Sequence, residues 1–204
     1  MKVYFMRHGE TDWNIVKRLQ GTTDIPLNEN GISLAKISAE NMKNAGIQFD
    51  EIFSSPLNRA VHTAEIINEK YSCTIKTDER IKEFNFGQAE GHTFDEVKTS
   101  PEFISVRNWF LNPSEYTAAL GAESYETFFG RLQNFLDEEI LPLENKMDSV
   151  LIVCHGGVVR GLLKVMLEWS IEKFADTKIP NCGVNLVNLK DGKFSLEYTA
   201  KTFY

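Results

Sequence analysis

The sequence predicts an α/β three-layer sandwich, with a mainly parallel central sheet, helices on both faces and an antiparallel edge. Three observations carry this expectation. Short β-prone runs alternate with longer segments whose apolar residues recur at spacings of three and four, the pattern of a sheet covered on both faces. The first three runs are each followed by turn residues and then by a helical pattern, as parallel strands require. Near the C-terminus, Lys190-Asp191-Gly192-Lys193 separates two strand-like runs and reads as a tight hairpin, which places antiparallel strands at one edge.

The elements follow in order. Lys2 to Met6 is a buried strand that ends abruptly at Arg7, His8 and Gly9. Leu34 to Ala45 is the first long helix. Glu51 to Phe53 is the second strand, closed by Ser54-Ser55-Pro56, and Leu57 to Tyr71 is the second helix. Tyr125 to Leu141 is the third helix, Val150 to Cys154 the third strand and Val158 to Trp169 the fourth helix. Val184 to Leu189 and Phe194 to Tyr198 form the hairpin. Between Phe84 and Tyr125 the pattern loosens: Gly, Pro and Asn interrupt short helical pieces, and Phe84, Phe86, Phe94, Phe103, Trp109, Phe110 and Tyr116 are scattered among them. Such a segment, at about 84–125, is either a lid or specificity wall over a site, or a small satellite core. With no repeat, low-complexity tract or linker, residues 1–204 read as a single domain.

Composition narrows the function. Hydrophobic residues at 42% and charged residues at 25% suit a globular chain, and no apolar run approaches the roughly 18 residues needed to span a bilayer. The net charge of −7 disfavours nucleic acid, which needs a basic face, and it obliges any anionic substrate to find a local pocket of arginines. Cys73, Cys154 and Cys182 are odd in number and form no C-x-x-C pair, which suits a reducing compartment and argues against a disulfide framework or structural zinc. The N-terminus has neither a long apolar h-region nor a small-residue cleavage site. A cytoplasmic location is the expectation.

Chemistry concentrates where strands end. In Arg7-His8-Gly9-Glu10-Thr11, a strand delivers an imidazole and a guanidinium to its carboxyl end, where open α/β sheets bind ligands. A neutral imidazole is a competent nucleophile, and a guanidinium can hold phosphoryl oxygens while opposing protonation of the ring. Arg59, in Ser54-Ser55-Pro56-Leu57-Asn58-Arg59, falls in the first turn of a helix, where free backbone N–H groups already favour an anion. Val150-Leu-Ile-Val-Cys154-His155-Gly156-Gly157 repeats the N-terminal design. If the two strands are adjacent, His8 and His155 meet, one as nucleophile and the other as a phosphate hydrogen-bond donor. Hydrolysis of an alkyl phosphate also needs an acid for the departing alkoxide and then a base for water. Glu83 and Glu90 both qualify by type and proximity. His62 and His92 lack such placement and read as structural or solvated.

Arg7-His8-Gly9-Glu10-Thr11 with Asn14, Gln20-Gly21 and Asp24-Ile25-Pro26-Leu27, Ser54-Ser55-Pro56-Leu57-x-Arg59-Ala60-x-x-Thr63-Ala64, Glu83 with Gly87 and Glu90-Gly91, and His155-Gly156-Gly157 together resemble the histidine phosphatase superfamily, also called phosphoglycerate mutase-like. The resemblance runs in order over nearly the whole chain. It implies a phosphoglycerate mutase-like fold, with His8 as the phosphorylated nucleophile, Arg7, Arg59 and His155 as the phosphate pocket, and Glu83 as the proton donor. Asn14, Gln20, Gly21 and Gly156 take supporting places near phosphate and substrate. Neither the family's chemistry nor an H-x-x-x-H or D-x-D cluster calls for a metal or other cofactor.

The cofactor-dependent mutases of this family carry Arg-His-Tyr after the acid and paired arginines downstream. Here Phe84-Asn85-Phe86 follows Glu83, and the stretch to Glu123 offers only Arg107. The expectation is therefore a metal-independent phosphomonoesterase acting on a small phosphorylated metabolite, with the cofactor-dependent mutase and a non-catalytic phosphate-binding regulatory module as alternatives. Cys154-His-Gly-Gly157-Val-Val-Arg160 also fits C-x-x-G-x-x-R, the phosphate loop of cysteine-dependent phosphatases, but lacks the Ser or Thr that normally follows. The C-terminal hairpin leaves a sheet edge through which a homodimer could pair.

Overall fold

The computed structural model describes residues 1–204 and shows the expected sandwich around a six-stranded sheet. The strands are β1 (Lys2–Arg7), β2 (Glu51–Ser54), β3 (Thr74–Thr77), β4 (Ser149–Cys154), β5 (Val184–Lys190) and β6 (Lys193–Lys201). They lie in the order β3-β2-β4-β1-β5-β6. β3, β2, β4 and β1 are mutually parallel, β5 runs antiparallel to β1, and β6 antiparallel to β5. The helices are α1 (Asp12–Ile15), α2 (Glu29–Asn44), α3 (Asn58–Asn68), α4 (Phe94–Thr99), α5 (Ile104–Leu111), α6 (Tyr125–Phe135), α7 (Gly156–Leu167) and α8 (Ile171–Asp176). No helix is long and apolar enough to cross a membrane.

The period of two along β1 explains the layers. Val3 and Phe5 point into one core with α6 and α7, whereas Tyr4 and Met6 point into a second with α2 and α3. β4 is buried at every position, as its unbroken apolar run requires of a central parallel strand. Phe84, Phe86, Val97, Phe103, Val106, Trp109 and Tyr116 belong to the first core. The Phe84 ring meets Phe86, Trp109, Tyr116 and Phe128 at centroid distances of 5.1, 5.2, 5.8 and 5.0 Å. The loosely patterned segment is thus continuous with the main core, not a separate satellite, and its aromatics are anchored to the sheet's covering helices.

Local departures have identifiable causes. α2 begins at Glu29 rather than Leu34, with Asn28 capping it by accepting the Gly31 N–H at 2.7 Å. Asn28, Asn30 and Gly31 resemble a loop in sequence, but a Cβ at residue 31 would sit 2.1 Å from the Glu10 carbonyl oxygen. Glycine is there to let α2 press against the loop that follows β1. The helix expected to reach Tyr71 ends at Asn68, and Tyr125 to Leu141 divides into α6 and a π-helical turn, Leu136–Ile140. β3 escapes a reading by periodicity because it pairs on one side only and its residues are exposed or half-buried.

Candidate active site

Adjacency of β1 and β4 sets the site. They pair in parallel with Arg7 opposite Cys154, so His8 and His155 leave the sheet at the same level. The His8 N–H donates to the Cys154 carbonyl at 2.9 Å, and the two imidazole centroids lie 5.2 Å apart. β2 ends beside them, since Ser54 pairs with Val153. This is the carboxyl-end crevice of an open α/β sheet.

Arg7, His8, Asn14, Gln20, Gly21, Arg59, Glu83 and Gly156 line one cavity of about 150 Å³. The cavity opens to solvent and is of the size of a small-molecule site. His155 does not line it: the ring is fully buried behind His8, with Nε2 2.7 Å from the Ser55 hydroxyl and Nδ1 unpartnered. The largest open groove, about 640 Å³, is at the opposite strand ends beside Met1, Lys2 and Ser149 and contains none of these residues.

His8 is oriented for attack. Its Nδ1 lies 2.6 Å from the Gly9 carbonyl, which has no hydrogen to give, so Nδ1 carries the proton and Nε2 the lone pair. Nε2 has no protein partner and keeps access to the cavity that His8 lines. Burial holds the ring's pKa well below its usual value, and the positive fields of Arg59 and Arg7 add to the effect. His155 is lowered well below as well, by burial first and then by Arg59, His8 and Arg7.

Stability must register this. An unfolded chain protonates both rings near pH 6.5, the native one only at much lower pH, so acid favours unfolding. Urea unfolding is expected to show stability falling by about 1.4 kcal/mol per histidine between pH 7.5 and 5.5. The His8→Asn variant should lose close to half of that slope. Equal slopes in the two proteins would contradict a buried neutral His8.

The arginines are tethered by backbone and left unneutralised. Arg7 donates to the Ile179 carbonyl at 2.8 Å, and Arg59 to the Thr23 and Gly21 carbonyls at 2.8 and 2.7 Å. Neither lies within salt-bridge distance of a carboxylate. Burial pulls Arg59 down to about 10, so it stays charged at neutral pH. Carbonyls thus fix the guanidiniums without consuming their charge, which remains for an anion.

Asn14 and Glu83 complete the wall. Asn14 Oδ1 accepts from Thr11 N and from Asn181 Nδ2 at 3.1 and 3.2 Å, which leaves its NH₂ group for the cavity. Glu83 accepts the Phe84 N–H on Oε1 at 2.9 Å and the Gly157 N–H on Oε2 at 3.0 Å, so it also caps α7. Its carbonyl takes a hydrogen bond from Arg131, which is paired with Glu123. The rival acid is occupied elsewhere: Glu90 accepts from Thr22 N, Thr23 N, Thr23 Oγ1 and Phe86 N. It packs so closely on Gly21, whose φ is +51°, that a Cβ there would lie 1.9 Å from its Oε1. Glu90 therefore shapes the Gln20–Thr23 loop, and Glu83 is the carboxylate that lines the cavity.

Phe86, Trp109 and Phe110, from the segment expected to be a lid, specificity wall or satellite core, border the cavity, as does Gly157 of the second histidine motif. Arg18, Leu19, Arg160 and Ile179 also border it and were not among the expected site residues. Arg160 could have been found from its place four residues after Gly156 on one helix face. Asn181, in the turn before β5, donates to the His8 and Gly9 carbonyls at 3.1 Å each, a contact created only by the antiparallel return of β5. Cys154 is wholly buried, and burial pushes its thiol pKa up. The cysteine-loop reading fails because the nucleophile it needs faces the core. Arg107 donates to the Lys98 carbonyl and lies outside the cavity, as do His62 and His92.

Comparison with known proteins agrees with this geometry. Residues 3–202 match the family model of the histidine phosphatase superfamily (branch 1). A curated relative from Yersinia pestis (strain Pestoides F), named probable phosphoglycerate mutase GpmB, is 33% identical over 192 residues, covering 94% of this chain and 86% of its own. The crystal structure of an Entamoeba histolytica phosphoserine phosphatase mutant in complex with phosphoserine superposes with a TM-score of 0.82 at 28% identity, covering 98% and 96% of the two chains. The α-ribazole phosphatase of Shigella flexneri, at 21% identity and a TM-score of 0.85, covers 98% and 96% and shares the fold.

Proposed function

The chain belongs to the histidine phosphatase superfamily, and we propose that within it this protein is a metal-independent phosphomonoesterase acting on a small phosphorylated metabolite. One observation carries the reading: His8, the unneutralised Arg7 and Arg59, and Glu83 converge on a single cavity of about 150 Å³, which Phe86, Trp109 and Phe110 also border.

In the first step His8 Nε2 attacks phosphorus in line. The N–P bond forms as the ester P–O bond breaks, and the departing alkoxide takes a proton from Glu83. To hold that proton, Glu83 releases one of its two backbone N–H bonds. In the second step the carboxylate takes a proton from water, the oxygen attacks phosphorus, and the N–P bond breaks to give phosphate and neutral His8. Arg7 and Arg59 hold the phosphoryl oxygens throughout. His155 backs the His8 ring from outside the cavity, its own Nε2 held 2.7 Å from the Ser55 hydroxyl.

The name of the curated relative favours a second reading, phosphoglycerate mutation. Incubation with p-nitrophenyl phosphate and with 3-phosphoglycerate separates the two. Phosphate release from both substrates is expected; efficient formation of 2-phosphoglycerate without phosphate release would assign the mutase reaction. No turnover above a His8→Ala control would leave the non-catalytic phosphate-binding module.

A further inference from the structure

We infer that Arg160, on the cavity face of α7, is a specificity-determining residue that receives a carboxylate carried by the phosphomonoester substrate. The inference rests on the phosphatase reading for the reaction and goes beyond it by naming the chemical class of the leaving alcohol. Four features of the site support it.

First, the guanidinium of Arg160 has no protein partner. It makes no side-chain hydrogen bond and no salt bridge, and its Nε is buried without an acceptor. The chain's other organised arginines behave differently. Arg80 is bound to Asp78, Glu138 and Glu139, and Arg131 to Glu123. A partly buried guanidinium left without an acceptor is costly to keep. Arg7 and Arg59 have backbone acceptors; Arg160 has none, so its acceptor comes with the ligand.

Second, its position matches a short substrate. Gly156 abuts Arg7, and Gly157 abuts Glu83. Arg160 follows them by four and three residues, which puts it on the same helix face about 5.4 Å further along. A phosphate held by Arg7 and Arg59 beside Glu83 would therefore extend its alcohol portion toward Arg160.

Third, Trp109 borders the same space, with its ring centroid 5.9 Å from the Arg160 guanidinium carbon. The indole flanks the cation and favours retention of its plane, which suits a planar bidentate acceptor. Fourth, Arg160 is the one distal arginine of that cavity with no protein acceptor. Arg18, the other distal arginine, is already committed to the Gly91 carbonyl and to the Trp13 ring.

The test compares 3-phosphoglycerate with glycerol 3-phosphate, which differ in a carboxylate replaced by a hydroxymethyl group. Wild type is expected to favour 3-phosphoglycerate in kcat/KM by about 10- to 100-fold, mostly through KM, because a contact remote from phosphorus binds substrate and transition state alike. In Arg160→Gln the ratio should collapse to within about threefold, and Arg160→Lys should restore part of it. An unchanged ratio in Arg160→Gln, with equal loss on both substrates, would overturn the assignment. Calorimetric binding of the same two compounds to His8→Ala, with and without Arg160→Gln, gives a readout independent of turnover. A preference for 3-phosphoglycerate that Arg160→Gln removes supports the inference, and equal affinities in the His8→Ala protein refute it. Absence of hydrolysis by wild type would defeat the phosphatase reading while the binding comparison still judges Arg160.

Discussion

Replacing His8 by alanine is expected to lower turnover of every phosphomonoester by about 10⁴-fold or more, the scale at which loss of a covalent nucleophile is felt. The expectation follows from the tautomer. Nδ1 is committed to the Gly9 carbonyl at 2.6 Å, so the lone pair on Nε2 faces the cavity, and burial with two arginines keeps it unprotonated. Arg7 and Arg59 owe their positions to carbonyls of Ile179, Thr23 and Gly21 rather than to the imidazole. The variant should therefore still bind inorganic phosphate. Rapid acid-free quenching of wild type should yield a base-stable, acid-labile phosphoryl adduct that the variant lacks. Residual activity within tenfold of wild type would mean that another group attacks phosphorus.

Glu83→Gln should discriminate between leaving groups. An alkoxide needs a proton as it departs, whereas p-nitrophenolate does not, so kcat/KM for an alkyl phosphate is expected to fall about 10³-fold and that for p-nitrophenyl phosphate far less. The same substitution removes the base that activates water. Phosphohistidine should then accumulate, visible as a burst of p-nitrophenol before a slow steady state. Equal losses in kcat/KM on both substrates would count against Glu83 as the acid. The amide also cannot accept on both ends, so either the Phe84 or the Gly157 N–H loses its partner, at about 1–3 kcal/mol in stability. Urea unfolding of the variant measures that cost separately from the kinetics.

The legible parts of the site were those encoded locally. Arg7-His8-Gly9 and His155-Gly156-Gly157 each end an apolar run, and a strand followed by a tight turn must present such residues at a sheet edge. Arg59 lies in the first turn of a helix for the same reason. Glu83 and Glu90 could not be separated by local pattern, because both sit in irregular chain. Their roles diverge through partners far away in sequence: Thr22 and Thr23 claim Glu90, while the first turn of α7 claims Glu83. The aromatic segment was ambiguous because its spacing follows no single period. Phe84 and Trp109 find partners on α6 and α8, in Phe128 and Phe174, which a scan for periodicity does not connect.

By itself the sequence determined the α/β class, the parallel run of strands with its antiparallel edge, and the residue types at the strand ends, since all of these follow from periods of two and 3.6 and from turn chemistry. Only the tertiary structure decided which carboxylate faces His8, that His155 lies behind the nucleophile and outside the cavity wall, and that Arg160 and Asn181 join the site. Those outcomes depend on strand order and on donors and acceptors brought together from distant parts of the chain, and such pairings leave no trace in a local pattern.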